Sequence, residues 1–339
     1  MKFHKGLLDI DPQEMIASIT ASIREQVGTI LRKRGIVVAV SGGIDSAVCA
    51  ALCTRAVGKD RIFALMLPEK TSSEKSLTLG SVLVEFLGVQ SAVQDITSII
   101  DAAGCYRAQS EAVRSFVPDF DETWKYKIVI PSILQQDRLN ISRLVIETPS
   151  GETKSIRMPG KAYQQIIAAT NFKQRTRKMV EYFHADRLNY AVCGTPNRLE
   201  YDQGFFVKLG DGSADFKPIA HLYKTQVYAL SEALEIPPTI RSQQPTTDTF
   251  SLAQTQEEFY FSLPYAAMDL CLYAYNHKFP AADITEATGL SEDQVARVYT
   301  DIEAKRRTTL PLHLPPLLVE DVQEITRLKE AVIAHQRPV

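Results

Sequence analysis

Residues 36–49, IVVAVSGGIDSAVC, pass from an unbroken apolar run into a turn of serine, glycine and aspartate, then straight into a second apolar stretch. A continuous run such as Ile36–Val40 marks a strand buried on both faces, as in a parallel sheet covered by helices. Paired Gly42 and Gly43 allow positive φ and let a ligand come close to the backbone. Asp45 or Ser46 is placed to cap a helix that begins near Ala47, which gathers free N–H groups at the positive end of a helix dipole. Such an end takes an anion, above all a phosphate. A plain strand-to-helix turn with a Ser or Asp cap shares part of this pattern, but two glycines set between serines weight it toward phosphate. The chain contains neither G-x-x-x-x-G-K-[ST] nor G-x-G-x-x-G, so the turn is not a Walker loop or a dinucleotide fingerprint.

The surrounding pattern extends the sheet. Asp11-Pro12-Gln13-Glu14 reads as a helix start, with a cap, proline at the first position and Glu three after the cap. Ile16, Ile19, Ile23, Val27, Ile30 and Leu31 then mark one helical face. Strand-like runs stand at 36–40, 62–67, 89–93 and 190–193, with helical patterns near 46–57, 74–87 and 161–184. This alternation predicts an α/β fold with a doubly wound parallel sheet flanked by helices. Ligands of such sheets bind beyond the carboxyl ends of the strands, where Ser41–Ser46 lies.

Two regions depart from the rhythm. Between about 106 and 160, KYKIVIP and RLNISRLVIETPSGETKSIRMP alternate around Pro149-Ser150-Gly151, which predicts an inserted β-hairpin outside the main sheet. The last third is helical, and TEATGLSEDQVARVY (285–299) has the cadence of a short helix, Gly289 and a Ser-capped second helix. Taken together, 1–339 reads as a single unit: a core over 12–105 and 160–262, an insertion over about 106–159 and a helical region over 263–339.

Bulk properties exclude some functions. With 45% hydrophobic and 23% charged residues and a formal charge of −2, the chain has an ordinary globular composition. A pI near 6.3 argues against a dedicated nucleic-acid binder. The apolar runs are too short and too interrupted by charge to span a membrane, and MKFHKGLLDIDPQE lacks the apolar centre of a signal peptide. A cytoplasmic location is the expectation. Cys49 and Cys53 stand four apart on one helix, but no second Cys/His pair follows, so buried thiols are expected.

The densest set of polar residues is 194–225, GTPNRLEYDQGFFVKLGDGSADFKPIAHLYKT, which follows a strand. A polar surface loop could look like this. Yet Glu200, Lys208, Asp211, Asp215 and Lys224 leave the same sheet edge as the Ser-Gly-Gly turn, and carboxylates with lysines suit a magnesium nucleotide.

Here SGGIDS resembles the pyrophosphatase loop of the adenine-nucleotide α-hydrolase-like enzymes, which cleave ATP to AMP and pyrophosphate. Residues 171–234, NFKQRTRKMVEYFHADRLNYAVCGTPNRLEYDQGFFVKLGDGSADFKPIAHLYKTQVYALSEAL, resemble the synthetase segment of NAD synthetases, and QPTTDTFSLAQTQEEFYFSLPYAAMDLCL (244–272) follows in that family's order. The resemblance covers most of residues 12–310, with the 106–160 excursion largely outside it. It implies ATP-dependent amidation of deamido-NAD by ammonia, with ATP as co-substrate, Mg²⁺ and a homodimer. By the same resemblance, Ser41, Gly42, Gly43, Asp45 and Ser46 would hold the ATP phosphates, and Thr195 and Thr246 would contact ATP. Asp45 and Glu200 would be the magnesium carboxylates, and Lys224 would neutralise phosphate in the transition state. Arg175, Lys208, Asp215 and Lys305 correspond to positions that contact deamido-NAD. Ala304 stands where a histidine is common and Gln243 where a lysine often stands, and both departures touch acid recognition rather than ATP handling.

Some members carry an N-terminal amidase domain, but only about 35 residues precede the first strand here. Free ammonia or a separate glutaminase is therefore the expected nitrogen source. A related ligase for another carboxylic acid, a non-catalytic nucleotide binder and a tRNA-modifying enzyme are the alternatives. The last would predict a basic face or a catalytic cysteine motif, and neither is evident.

Overall fold

The computed structural model describes residues 2–129, 142–246, 250–252, 254–261 and 263–335. The chain begins with α1 (Pro12–Arg24), whose N-cap Asp11 accepts from Gln13 N (2.8 Å) and Glu14 N (3.2 Å). Strand β1 (Ile36–Ala39) leads into α2 (Ile44–Val57), and β2 (Ile62–Met66) into α3 (Glu74–Leu87). Next come β3 (Gln90–Val93), α4 (Thr97–Ala102) and α5 (Cys105–Arg114), then three strands: β4 (Lys125–Val129), β5 (Arg143–Glu147) and β6 (Thr153–Arg157). The long α6 (Gly160–Leu188) returns the chain to the main sheet as β7 (Ala191–Cys193), followed by α7 (Arg198–Gln203). The remainder is helical: α8 (Lys224–Ala233), α9 (Pro238–Arg241), α10 (Tyr265–Asn276), α11 (Thr285–Thr288), α12 (Glu292–His313) and α13 (Gln323–His335).

The main sheet is parallel, in the order β3-β2-β1-β7. Its strands alternate between two cores, because successive side chains point to opposite faces. Val38, Ala64 and Cys193 pack with Ile16, Ile19, Ile23 and Leu52 of α1 and α2. Val37, Leu65 and Val192 face Ile96, Ile100, Ala169 and Val180 on the other side, supplied by α4, α6 and the stretch before α4. The doubly wound sheet expected from the apolar runs is therefore present. The strand order reverses at β1, where the chain first builds outward to β3 and then comes back to add β7. Crevices at such a switch point are where open α/β sheets bind ligands.

The hairpin around Pro149-Ser150-Gly151 is also present. Strands β5 and β6 pair antiparallel, and Gly151 takes φ +83° at the turn. Strand β4 adds to the other edge of β5, making a separate three-stranded sheet that packs on Ala112, Val113 and Ile166 of α5 and α6. Residues 130–141 of this excursion lie outside the described residues.

Two boundaries differ from the sequence expectation. Helix α6 continues to Leu188 rather than stopping near 184, because the polar stretch at its end still forms helix until Asn189 turns left-handed at φ +55°. Helix α2 begins at Ile44, with Gly43 at the N-cap and no side chain capping it. Neither Asp45 nor Ser46 is the cap: both lie inside the first turn, and Ser46 Oγ donates to Gly43 O (2.9 Å). All five cysteines are free and buried. Among the described residues, no helix is long and apolar enough to cross a membrane.

Candidate active site

The site begins with the backbone of the Ser-Gly-Gly turn. Gly42 has φ +79°, and a Cβ there would fall 2.7 Å from Ser76 O of α3, so this position requires glycine for both reasons. Gly43 is different, with an ordinary φ of −85°, and a Cβ there would meet only Ser41 Oγ, at 3.4 Å. Ser41 and Ser46 close the turn on itself: Ser41 N donates to Ser46 Oγ (3.3 Å), and Gly43 N to Ser41 Oγ (3.4 Å). With no side-chain cap on α2, its first amides point at the crevice beside a positive dipole end.

Asp45 leaves this turn toward β7 and α8. Lys224 Nζ donates to Asp45 Oδ2, and the lysine side chain is fully buried. Lys224 is the first residue of α8, and Asp269 of α10 fixes that helix start by accepting from Lys224 N (3.2 Å) and Thr225 N (2.8 Å). The other oxygen of Asp45 accepts from Asn197 Nδ2 (3.1 Å). Asn197 is also the N-cap of α7, where it forms a capping box with Glu200: Glu200 N donates to Asn197 Oδ1 (3.2 Å) and Asn197 N to Glu200 Oε2 (3.1 Å). Gln256 Nε2 donates to Glu200 Oε1 (3.0 Å).

Two carboxylates thus face one ammonium in a buried place. Burial, and after it the charge of Asp45, pushes the Glu200 carboxyl up to about 8, against the pull of Lys224 and the hydrogen bonds from Asn197 and Gln256. Burial works against the Lys224 ammonium, but Asp45 and Glu200 outweigh it and lift it above the usual lysine value. Bringing both carboxylates to full charge here takes more positive charge than Lys224 alone supplies. Among the described residues no group of three or more His, Cys, Asp or Glu could hold a metal on its own. A pair of oxygen donors beside a phosphate turn fits Mg²⁺, which commonly takes one or two carboxylates and completes its shell with water and substrate phosphate.

Beside Ser41 a cavity of about 140 Å³ opens between the carboxyl ends of β1 and β2, walled by Leu65, Met66, Leu67, Ser73 and Leu77, with Arg177 of α6 at its side. Next in sequence to its lining residues Pro68 and Gln174 stands a buried ion pair, Glu69 with Lys173. Lys173 Nζ donates to Glu69 Oε1 and to Thr71 Oγ1 (both 3.0 Å), and Tyr106 OH to Glu69 Oε2 (2.7 Å). Arg177 Nε donates to Leu67 O (3.2 Å) one turn further along α6.

The remaining expected site residues fall into smaller groups. Thr195 is half-buried at the carboxyl end of β7, two residues before Asn197. Thr246 is exposed and bridges to Thr255, on the segment that brings Gln256 to Glu200. Arg175 Nε donates to Lys208 O (3.2 Å), while Lys208 Nζ reaches Pro311 O (2.8 Å) and Leu314 O (3.2 Å) at the end of α12. Asp215 accepts from Val192 N (2.7 Å) and Tyr182 OH (3.4 Å), which ties it to the sheet edge. Lys305 lies apart from these, bound to Asp301 Oδ2 (2.7 Å) and Tyr260 O (2.8 Å). None of Arg175, Lys208, Asp215 or Lys305 bonds Asp45, Glu200 or Lys224 among the described residues.

Asn197, Gln256, Asp269 and the Glu69–Lys173 pair belong to the site without standing out in the sequence. Asn197 leaves a signal there: N-R-L-E at 197–200 is a capping-box pattern following a strand. The others leave none, since their partners are distant in sequence.

The NAD synthase family model matches residues 15–117 and 136–309, leaving out 118–135. The NH(3)-dependent NAD(+) synthetase of Mesorhizobium japonicum is 53% identical over 318 residues, covering 94% of this chain and 100% of that protein. Its namesake from Rhizobium meliloti is 54% identical over 323 residues, covering 95% of this chain and 96% of that protein. Among solved structures, the NH3-dependent NAD synthetase from Campylobacter jejuni in complex with the nitrate ion aligns with a TM-score of 0.59 at 22% identity, over 92% of this chain and 100% of that chain. The NMN synthetase of Francisella tularensis aligns at 0.62 and 21%, with the same coverage. These two likenesses show the fold.

Proposed function

The chain belongs to the NAD synthase family, and on that footing we propose that it joins ammonia to the nicotinate carboxylate of deamido-NAD at the expense of ATP, giving NAD⁺, AMP and pyrophosphate. The observation that carries this reading is the convergence of Asp45, Lys224 and Glu200 beside the uncapped start of α2.

The chemistry needs an activated acid, because a carboxylate cannot expel oxide. Its oxygen attacks the α-phosphorus of ATP, the bond to the β-phosphate breaks, and pyrophosphate leaves with the electron pair. Ammonia then adds to the acyl carbon, loses a proton and displaces AMP. In the first step negative charge grows on pyrophosphate, and the amides of the Ser41–Ser46 turn oppose it. Lys224 opposes it too, and its burial makes that charge effective at short range. Asp45 and Glu200 would hold Mg²⁺, which when bound neutralises the phosphates as a Lewis acid. Lys224 then exchanges its Asp45 partner for a phosphate oxygen. The apolar cavity beside Ser41 suits the adenine ring, with Thr195 and Thr246 contacting ATP from the other side. Arg175, Lys208, Asp215 and Lys305 are proposed for deamido-NAD. No covalent side-chain nucleophile enters, and catalysis is positioning plus charge stabilisation. The same proposal includes a homodimer working in the cytoplasm on free ammonia or on ammonia from a separate glutaminase.

The test is an incubation with MgATP, ammonium and deamido-NAD, run beside nicotinate mononucleotide and a panel of simple acids. Deamido-NAD should give the highest kcat/KM, with NAD⁺, AMP and pyrophosphate formed in equal amounts. Faster amidation of another acid would transfer the proposal to that substrate.

A further inference from the structure

Strand β4 is an edge strand of the inserted sheet, and it lies wholly within 118–135, the stretch that the family model leaves out. The edge that does not meet β5 is covered by residues from 250 onward. Tyr126 N donates to Ser251 Oγ (2.9 Å), a residue 125 positions away, and Leu252 N donates to Tyr126 O (3.2 Å). The buried Gln254 donates through Nε2 to Ile128 O. A strand edge presents a row of backbone groups that need partners, and this segment supplies them. Side chains tighten the same seam: Phe250 is buried in the core of the inserted sheet, its ring 5.9 Å from that of Tyr126 and 5.7 Å from that of Phe259.

The far end of this segment stands in the catalytic site. Gln256 Nε2 donates to Glu200 Oε1 (3.0 Å), and Gln256 Oε1 accepts from Tyr265 OH (2.5 Å), whose ring lies 5.2 Å from Lys224 Nζ. A second route runs through rings: Phe259 is 5.9 Å from Phe205, and Phe205 N donates to Glu200 O (2.8 Å). One residue separates Gln254 from Gln256, so the backbone held by β4 is the backbone that aims the Gln256 amide. Gln254 also keeps a buried Oε1 without a hydrogen-bond partner among the described residues. Such an atom costs stability, and an apolar side chain of the same length would avoid it. What glutamine supplies in return is the bond to Ile128 O.

We propose that β4 is a positioning element of the catalytic site: through Ser251 and Gln254 it holds Gln256 on Glu200, and so sets the carboxylate that would hold Mg²⁺. The proposal rests on Glu200 as a metal carboxylate, but not on which acid is amidated. Ser251, Gln254 and Gln256 act through Glu200 and are positioning residues.

The test compares the full chain with Ser251→Ala/Gln254→Met, with Gln256→Leu and with all three changes together. Mn²⁺ binding is read by electron paramagnetic resonance with α,β-methylene-ATP present and neither acid nor ammonium, so that no turnover occurs. Breaking the seam or removing Gln256 should each weaken Mn²⁺ binding about tenfold or more, as for other partners that orient a metal ligand. The triple variant should bind no more weakly than Gln256→Leu, because both changes act along one route. Ser251→Thr, which keeps the hydroxyl, should retain the wild-type affinity. Urea midpoints accompany each variant. If the seam variant does not fold, Ser251→Ala, at an exposed position, is read in its place and should weaken Mn²⁺ binding in the same direction. Wild-type Mn²⁺ affinity in the folded seam variant overturns the proposal, as do losses that multiply in the triple variant and a wild-type chain that binds no Mn²⁺ with the nucleotide. The expected pattern in a chain that forms no NAD⁺ would support the positioning role while overturning the proposed function.

Discussion

Asp45 and Lys224, 179 residues apart in the chain, form an ion pair in which the lysine is fully buried and the aspartate mostly so. The pair ties the first turn of α2 to the start of α8 at the mouth of the sheet. Removing one partner of a buried pair leaves an uncompensated charge, at about 3–5 kcal/mol. Asp45→Ala leaves Glu200 facing the ammonium and should lower stability by less than this, whereas Lys224→Met leaves two carboxylates without their cation and should cost about 3 kcal/mol or more, both measured by denaturant unfolding. The double variant Asp45→Ala/Lys224→Met, which removes one of the two facing carboxylates, should be less destabilised than Lys224→Met alone. Activity should fall as well: Lys224→Met should lose roughly 10²–10³-fold in kcat, because it lacks the charge that meets the leaving group.

Gly42 and Gly43 should part company. Ala at 42 would have to adopt φ +79° and push on Ser76 O, so Gly42→Ala should lower the unfolding midpoint and weaken ATP binding together. Ala at 43 meets neither obstacle. Gly43→Ala should keep its stability within about 1 kcal/mol, the ordinary range for unstrained changes, yet raise the KM for ATP. Paired unfolding and kinetic measurements on the two variants check this.

A buried clamp should support the cavity beside Ser41 that is proposed for the nucleotide. Lys173 and Glu69 are joined at 3.0 Å with both side chains almost wholly excluded from solvent. Lys173→Met alone should cost about 3–5 kcal/mol, whereas Glu69→Gln/Lys173→Met should recover much of that. Both should raise the KM for ATP more than they change kcat, since the clamp holds the wall beside Ser41 rather than the reacting phosphorus. Steady-state kinetics with varied ATP would show the split.

Asp269 gives a pH signature. Burial pushes its carboxyl up to about 6, against hydrogen bonds from Thr225 and Lys224. A carboxyl whose folded pKa is raised contributes stability that is fully present below its unfolded value near 3.8 and is lost as pH rises through the folded one. Relative to Asp269→Asn, the wild type should lose on the order of 3 kcal/mol between about pH 4 and pH 6. Urea unfolding of both proteins across that range measures the difference, and a flat difference would show that Asp269 titrates normally.

The sheet is legible in the sequence because its strands are short unbroken apolar runs: Ile36–Val40 needs burial on both faces, and a covered parallel sheet provides it. The hairpin at Pro149-Ser150-Gly151 is legible from local turn chemistry. The start of α2 misleads because Asp45 and Ser46 have the chemistry of caps, and only the folded protein shows Asp45 drawn away by Lys224 and Asn197. Glu200 and Lys224 stand out in sequence as charges in a polar segment, but spacing does not reveal which groups they meet. Lys173 and Glu69, 104 residues apart, are invisible for the same reason. Long-range ion pairs leave no local period.

If the acid attacks the α-phosphorus of ATP at the Ser41–Ser46 turn, an oxygen of the carboxylate must end in AMP. The measurement supplies deamido-NAD labelled with ¹⁸O in its nicotinate carboxylate and follows the label by mass spectrometry. One ¹⁸O should appear in each AMP formed and none in pyrophosphate, with no label transfer in Asp45→Ala. Label appearing in inorganic phosphate, with ADP as the nucleotide product, would place the attack at the γ-phosphorus and contradict the mechanism.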